Sequence, residues 1–344
     1  LPFMQPYMGL GNSLQTAQAS GGGAGGIGGW VELARTTLGS PTPTITVSSL
    51  ADIQGNTRLG NSSVDTGSNY ASRYNDNGGT DATSTSETRA LTGYTGDPDF
   101  SVTYLSNLSG KEKLATSHLV SRNTAGAGTA PNRREIVWKW VNTSNPLDIY
   151  QIWDNGASNF ATGSEVVVLG WDPEDTDTSG FWEELASVTA GGGTETFETG
   201  TFTAKKYLWV QAWIDGSGSN NGLDMYVNSD TGTNYSYRYS ANGAGDTTGT
   251  SVKQMLLGGG YASTEKFFMN AFIVNNSANE KLATGHIVTD IGTAGAGTAP
   301  TRRELAGKWT TTGSQITKVG FKNRESTTGQ NIDAGSIIKV WGSD

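Results

Sequence analysis

"NTAGAGTAPNRRE" (residues 123–135) and "GTAGAGTAPTRRE" (residues 292–304) are nearly the same thirteen residues, written twice in one chain of 344. Such a repeat has to be read before any local pattern, because it sets the number of folding units. Further blocks match in the same order, and one pair is identical at 13 of 22 positions. The matching pairs are "WVELARTTL" (30–38) with "WEELASVTA" (182–190), "DTGSNYASRYNDNGGTDATSTS" (65–86) with "DTGTNYSYRYSANGAGDTTGTS" (230–251), "EKLATSHLV" (112–120) with "EKLATGHIV" (280–288), and "GSEVVVLG" (163–170) with "GSIIKVWG" (335–342). The chain therefore carries two copies of one module, each much longer than a solenoid repeat.

The local patterns inside each copy are those of β-strands. "EVVVLGW" (165–171) is a short β-branched run, and "YSYRY" (235–239) alternates aromatic and polar residues. Clusters of Gly, Asn, Asp, Ser and Thr separate such runs and have the chemistry of turns. We predict an all-β chain of two tandem antiparallel β-sandwiches with jelly-roll-like topology and an extended N-terminal arm.

The repeat boundaries give the domain organisation. We expect module one over residues 30–172, an acidic linker over 173–181 and module two over 182–344. Residues 1–29 join an apolar peptide, "LPFMQPYMGL", to a glycine-rich stretch typical of flexible linkers. They are either a disordered terminus or an assembly arm that docks through Phe3, Met4, Tyr7 and Met8.

Module one is shorter than module two in one place. Trp182 and Asp230 are 48 positions apart, whereas their counterparts Trp30 and Asp65 are 35 apart. The part that has no counterpart is the apolar strand "KKYLWVQAWI" (205–214), where module one has "LADIQGNTRLGNSS" (50–63). Either the N-terminal segment or a neighbouring subunit supplies a strand, or about 13 residues near position 50 are missing from the sequence. We favour the second explanation.

The repeated loop invites two interpretations. Its glycines and alanines let two backbones approach closely, and Pro131 and Pro300 end it before the RRE triplets. A phosphate-binding loop would need a Lys followed by Ser or Thr before a helix, and that order is missing. We predict a structural loop, with Arg133, Arg134 and Glu135 starting the next strand and forming a local ion pair.

Composition excludes several function classes. The chain has 23 Lys and Arg against 32 Asp and Glu, a net charge of −9, which argues against a nucleic-acid partner. It has no Cys, so thiolate chemistry is excluded, and no apolar window of about 18 residues predicts a membrane span. The joint between the modules gathers acidic residues. Ca²⁺ at Asp172, Asp175 and Asp177 is one interpretation, but without EF-hand spacing a solvated linker is favoured, and we predict no cofactor.

Catalytic patterns are missing from the sequence. The only histidines, His118 and His286, lie at equivalent positions, which favours a structural role over catalysis. Most aromatic residues recur in both copies and therefore predict packing. Tyr237 and Tyr239 are the candidates for a glycan contact. We expect a protein that is not an enzyme.

The run of "DTGxNYxxRY", "EKLATxH", "NTAGAGTAPxRRE" and "GSEVVVLGWDP" resembles a module of structural proteins from tailed phages and from marine or archaeal viruses. The resemblance implies a non-enzymatic fibre, spike, turret or decoration protein at the virion surface. Its partners would be other copies, other virion proteins and a host-surface glycan. A subunit of a cellular extracellular filament or surface layer, and a carbohydrate-binding or carbohydrate-active module, are the alternatives.

Overall fold

In the computed structural model, every regular element that can be described is a β-strand, and the strands pair antiparallel. The structure describes residues 30–48, 56–91, 93, 97–108, 110–144, 146–153, 159–171, 180–217, 223–257, 266–290, 296–323 and 331–344. Over these residues no helix is long and apolar enough to cross a membrane. The predicted all-β fold class is confirmed. The assembly-arm residues Phe3, Met4, Tyr7 and Met8 and the calcium candidates Asp172, Asp175 and Asp177 lie outside the described residues.

Module one contains twelve strands among its described residues. They are β1 (Trp30–Thr37), β2 (Thr44–Ser48), β3 (Asn56–Asn61), β4 (Ser63–Val64), β5 (Tyr70–Asp76), β6 (Ala82–Glu87), β7 (Ala90–Leu91), β8 (Asp99–Leu105), β9 (Lys113–Ser121), β10 (Asn132–Trp140), β11 (Ile149–Trp153) and β12 (Glu165–Trp171).

Module two contains thirteen strands in the part of the chain that the structure describes. They are β13 (Glu183–Thr189), β14 (Thr196–Glu198), β15 (Tyr207–Ser217), β16 (Leu223–Val227), β17 (Tyr235–Ala241), β18 (Thr247–Val252), β19 (Leu256–Leu257), β20 (Lys266–Val274), β21 (Lys281–Thr289), β22 (Thr301–Trp309), β23 (Val319–Asn323), β24 (Asn331–Ile332) and β25 (Ile337–Ser343).

The strand order of module two is that of a jelly roll with one extended sheet. One sheet begins β13-β25-β15-β20 and the other runs β14-β23-β16-β19. In chain order, these eight strands are β13, β14, β15, β16, β19, β20, β23 and β25. Numbered from first to eighth, they lie in the order first, eighth, third, sixth in one sheet and second, seventh, fourth, fifth in the other, which is the order of a jelly roll. Two further pairs of strands extend the first sheet, which continues β20-β21-β22-β17-β18. The strongly repeated sequence blocks fall on this extension.

Module one repeats this order, but its described residues contain no equivalent of the third jelly-roll strand. Its small sheet runs β2-β11-β3, with β7 also pairing with β3, and its extension runs β8-β9-β10-β5-β6. Strands β1 and β12 form a separate two-stranded sheet. Among the described residues nothing pairs with the outer edges of β8 and β12, the two edges between which module two holds β15. The stretch that replaces β15 in sequence contains β3, which belongs to the opposite sheet.

The inner face of β8 differs from that of its equivalent, β20. Val102 lies opposite His118 and Asn270 lies opposite His286, which aligns the two strands. The inward residues are Asp99, Ser101 and Thr103 in β8 and Phe267, Met269 and Ala271 in β20. Polar side chains thus line the position at which module two packs β15.

The modules also differ in which of two paired strands carries a large side chain at one position. Trp138 of β10 lies opposite Ser72, whereas at the equivalent place Gly307 lies opposite Tyr237. Trp138 is buried in the core of module one and donates from Nε1 to Ser117 Oγ at 3.0 Å. A large residue therefore fills the same region from opposite strands in the two copies.

Each module has an apolar core of its own. Over the described residues, the core cluster of module two has 28 buried residues and that of module one has 14. The β15 residues Leu208, Val210, Ala212 and Ile214 belong to the larger cluster. Module one therefore has the smaller core among the described residues, which is expected where no strand equivalent to β15 is present in them.

The motif "DTGxNY" closes one corner in both modules. In module two, Asp230 accepts hydrogen bonds from Trp309 Nε1 (2.8 Å), Gly232 N (2.8 Å) and Asn234 Nδ2 (2.9 Å). Tyr235 is fully buried, and its hydroxyl accepts from Val227 N at 3.2 Å. Burial opposes ionisation of Asp230, but these three hydrogen bonds hold the pKa of its carboxyl below 3.8. Asp65, Tyr70 and Trp140 form the same corner in module one.

We predict that Asp230→Ala lowers the free energy of unfolding of module two by roughly 3 kcal/mol at pH 7, because a buried indole N–H loses a charged acceptor. Since the folded-state pKa is depressed, this stabilisation is present above about pH 4 and is lost as pH falls through the folded value. Urea denaturation at pH 7 and pH 3 measures both effects. An equal loss at both pH values would contradict the assignment.

Candidate functional site: the cleft between the modules

The two modules pack face to face through their extended sheets, with β9 against its own equivalent β21. A third apolar cluster lies between the two cores. It contains Phe100 and Val120 from module one, Trp182 at the joint, and Tyr207, Leu282, Ala306 and Trp341 from module two. Trp209 stacks against Phe272 at 5.7 Å and lies 4.9 Å from Trp341. Burial of this cluster favours the paired state in proportion to the apolar area removed from water.

Glu165 at the start of β12 is a buried polar hub between the modules. Its carboxylate lies 2.7 Å from Arg35 Nη1 of module one and 2.7 Å from Lys206 Nζ of module two. Tyr207 Oη donates to it at 2.8 Å. Burial opposes ionisation, yet hydrogen bonds from Lys206, Thr37 and Tyr207 hold the pKa of Glu165 below its ordinary value. The carboxylate therefore stays charged and ties the joint together.

The repeated loop of module one docks on module two. Gly126 N donates to Glu280 Oε1 at 2.6 Å, and Lys308 Nζ donates to the carbonyl oxygen of Thr124 at 2.7 Å. Ser251 N donates to the carbonyl oxygen of Ala127 at 2.7 Å. In the copy of the loop in module two, residues 296–300 are exposed. The predicted structural role of the loop fits these contacts, which no phosphate-binding arrangement would require.

Arg133, the second residue of β10, forms the most buried ion pair of the junction among the described residues. Its guanidinium exposes 2% of its surface and lies 2.6 Å from Asp246 Oδ1 of module two. It also pairs with Glu135, the local ion pair that the RRE triplet predicts. The counterpart of Asp246 is Asp81, which is 51% exposed and 3.6 Å from Arg73. The duplicated residues thus have unequal roles.

Gly78 allows Asp246 to come this close. A Cβ added to Gly78 would lie 2.4 Å from the backbone nitrogen of Asp246, and its φ of +71° is in the left-handed region. Its counterpart Gly243 has a similar φ of +75°, but the nearest atom to an added Cβ is Arg302 Nη2 at 3.6 Å. Both glycines follow an Asn with positive φ, as "NG" turns predict.

A cleft with a volume of about 480 Å³ opens beside this ion pair. Its walls carry His118, Glu135 and Tyr104 from module one and His286 and Phe272 from module two. The rings of His118 and His286 are 4.5 Å apart. Both imidazoles thus meet at the junction between the copies.

His118 is the buried member of the histidine pair. Burial, and to a smaller degree His286 and Arg133, lower the pKa of His118 well below 6.5. The ring is therefore neutral at pH 7 and keeps a lone pair on one nitrogen. Its Nε2 has no hydrogen-bond partner among the described residues and lies 3.7 Å from Glu135 Oε1.

The predicted glycan contacts, Tyr237 and Tyr239, are not among the residues that line this cleft. Tyr239 is 8% exposed and lies in the core cluster of module two, so its ring offers no platform for a sugar. Tyr237 is partly buried, packs against the same core and covers Gly249. Residues 235, 237 and 239 alternate along β17 and share one face of the strand, which points toward the core of module two.

Sequence reasoning did not find the residues that join the modules. The equivalence of His118 and His286 suggested separate structural roles, and nothing in one sequence indicated that the two rings would meet. One sequence feature could have indicated the junction: the blocks that are most similar between the two modules lie on the two sheets that face each other. No known protein family, curated protein or solved structure matches the chain.

We predict that Asp246→Ala lowers the free energy of unfolding by roughly 3 kcal/mol, because it removes the main acceptor of a buried guanidinium. Asp81→Ala, its exposed counterpart, should change the free energy by no more than about 0.5 kcal/mol. Urea denaturation of both variants makes the comparison. Equal effects would contradict the junction.

Gly78→Ala and Gly243→Ala form a second matched pair. Both should lose about 1 kcal/mol to the left-handed backbone, but only Gly78→Ala forces Asp246 away from the turn. We expect the Gly78 variant to be the less stable by at least about 1 kcal/mol in calorimetry. The reverse order would show that the contact with Asp246 is unimportant.

Proposed function

We propose that this chain is a non-enzymatic structural subunit of a virion surface, and that a strand from one copy fills the gap in module one of the next. The observation that carries the proposal is the pair of unpartnered strand edges, β8 and β12, that flank this gap among the described residues. An open edge is a template for pairing with another chain, and native proteins usually cover it.

The junction supports the first part of the proposal. Apolar residues, the Glu165 hub and the Arg133–Asp246 pair all join one module to the other. Interactions of this kind yield a rigid two-module block, which is what a repeating shell or spike needs.

The edge of β8 supports the second part. Arg122 N donates to Pro98 O at 2.8 Å and Ser106 N donates to Leu114 O at 2.9 Å, which places the even-numbered residues in hydrogen-bonded pairs with β9. In an antiparallel ladder the N–H and C=O groups of the intervening residues point to the other side. Those of residues 99, 101, 103 and 105 therefore face the gap.

The residues around the gap differ between the two modules. These differences favour the interpretation that module one has no third strand of its own over the interpretation that residues are missing from the sequence. An apolar strand like β15 would have to pack beside Asp99, Ser101 and Thr103, where module two offers it Phe267, Met269 and Ala271, so it would bury less apolar area. Trp138 adds bulk to the core that lacks this strand. Module one has the composition of a sandwich adapted to the gap.

Residues 1–29 of a neighbouring copy are the proposed donor. The segment has apolar residues at its start and ten residues, "SGGGAGGIGG" (20–29), that a flexible linker would use to span about 18 Å. Positions 7–17 contain no proline, which a central strand excludes. Ser13 and Gln15 are two positions apart, so a strand would place both on one face, where they suit the polar inner face of β8.

The virion location rests on two further supports. Jelly rolls occur in viral capsids as well as in lectins and cupins, and the sequence motifs resemble those of viral structural proteins. Gold-labelled antibodies against the chain should decorate intact particles of the virus whose genome encodes it. Labelling confined to the host cell surface would favour the filament or surface-layer alternative.

We predict that Thr103→Pro weakens self-association at least tenfold in sedimentation equilibrium, because it removes a gap-directed N–H and leaves the bonds to β9 in place. Thr103→Val is the matched control, since it also loses the 2.7 Å contact with Ser117 Oγ but keeps the N–H.

Deletion of residues 1–29 should have the same effect as Thr103→Pro. A full-length chain that stays monomeric at all concentrations would overturn strand exchange between copies. Equal association of the Pro and Val variants would place the contact elsewhere.

A further inference from the structure

We propose that His118, Glu135 and His286 form a binding site for one divalent transition-metal ion, zinc being the natural occupant, that bridges the two modules. One donor atom from each residue lies within 4.8 Å of the donors of the other two. Two donors come from module one and one from module two. The site is independent of assembly between copies, because all three residues belong to one chain.

The strands hold the donors in place. Glu135 of β10 lies directly opposite His118 of β9 in the sheet register, so both side chains emerge on the same face. His286 of β21 approaches from the facing sheet, with its ring 4.5 Å from that of His118. Because each ligand sits on a regular strand, the arrangement is fixed by backbone pairing rather than by loops.

The buried nitrogen of His118 is the observation that points to a ligand. The side chain of His118 is 10% exposed, and its Nε2 faces Glu135 across 3.7 Å without a hydrogen bond in the described part of the chain. Buried polar atoms without partners are rare and costly. A metal ion at the cleft wall would satisfy this nitrogen.

The donor set selects the class of metal. Two imidazole nitrogens and one carboxylate oxygen suit zinc and its neighbours in the first transition series, whereas calcium and magnesium prefer oxygen donors alone. Three protein ligands leave a fourth tetrahedral position for water from the cleft. Donors around a tetrahedral zinc are about 3.4 Å apart, from bond lengths near 2.0 to 2.1 Å. Closure from 4.8 Å requires side-chain rotation of Glu135 and His286, both of which border the cleft.

The surrounding charges allow a cation. Arg133 is neutralised by Asp246 and Glu135, and Arg302 lies 2.6 Å from Glu304. Glu135 Oε1 accepts from Arg133 Nη1, which leaves the second carboxylate oxygen for the metal. The nearby carboxylate of Glu304 adds negative charge to the same region.

The composition makes the site easy to test. His118 and His286 are the only histidines of the chain, and it has no cysteine. A tag-free protein therefore offers no other imidazole or thiolate to zinc. Any site that uses nitrogen donors from two histidines must use these two.

The experiment titrates tag-free, EDTA-treated chain with Zn²⁺ by calorimetry and with Co²⁺ by visible absorption. We expect one ion per chain, the intense absorption of four-coordinate Co²⁺, and a melting temperature that rises by several degrees with zinc. His118→Ala and His286→Ala should each weaken binding at least tenfold and abolish the Co²⁺ band.

Duplication provides the matched control. Glu135→Gln should weaken zinc binding, whereas Glu304→Gln, the equivalent change outside the donor set, should keep the Co²⁺ spectrum. Far-UV circular dichroism and the metal-free melting temperature report folding of each variant. Binding unchanged in both histidine variants, or no zinc bound by the native chain, would overturn the site.

Discussion

The extended sheet of each module packs with its outer face against the equivalent face of the other module. The rest of the structure depends on this contact. A jelly roll has one hydrophobic interior, and its sheets ordinarily turn polar faces to water. Here the extended sheet of each module, which carries the repeated blocks, turns a face of apolar and charged residues toward the other module. Phe100, Val120 and Trp341 supply apolar area, while Glu165 and Arg133 are held as buried ions. Two sandwiches with separate cores become one block through a third cluster.

Face-to-face packing has also separated the roles of duplicated residues. Asp246 is buried against Arg133, whereas Asp81 is half exposed. The loop of module one is fastened by Glu280 and Lys308, whereas residues 296–300 of the other copy are exposed. A duplicated sequence therefore need not be a symmetric structure, because each copy meets a different environment.

The second organising feature is that the described residues of module one contain no strand equivalent to β15. The large sheet is therefore divided, and β1 and β12 form a separate pair. In the same described part of the chain, no strand pairs with the outer edges of β8 and β12, and the inward residues of β8 are polar. An incomplete sandwich with open strand edges is suited to receive a strand from elsewhere, which links the architecture to the proposed role in assembly.

Much of the fold was accessible from the sequence. The strands "EVVVLGW" and "YSYRY" could be predicted because side chains alternate with period two along a strand and the turns between strands need Gly, Asn and Asp. Internal comparison located the strand that module one lacks, and the recurrence of Tyr70 with Tyr235 and of Trp140 with Trp309 identified core residues. These properties depend on local backbone geometry and on burial, and a repeated sequence shows the pattern of each in both copies.

The tertiary structure alone decided which surfaces meet. No sequence pattern places His118 beside His286, because the pair depends on how two sheets stack across about 170 residues of chain. The pairing of Arg133 with Asp246 follows from the same packing. A sequence specifies which faces of a strand are apolar, but the partner of a polar residue at a junction is set by the relative placement of two folded bodies.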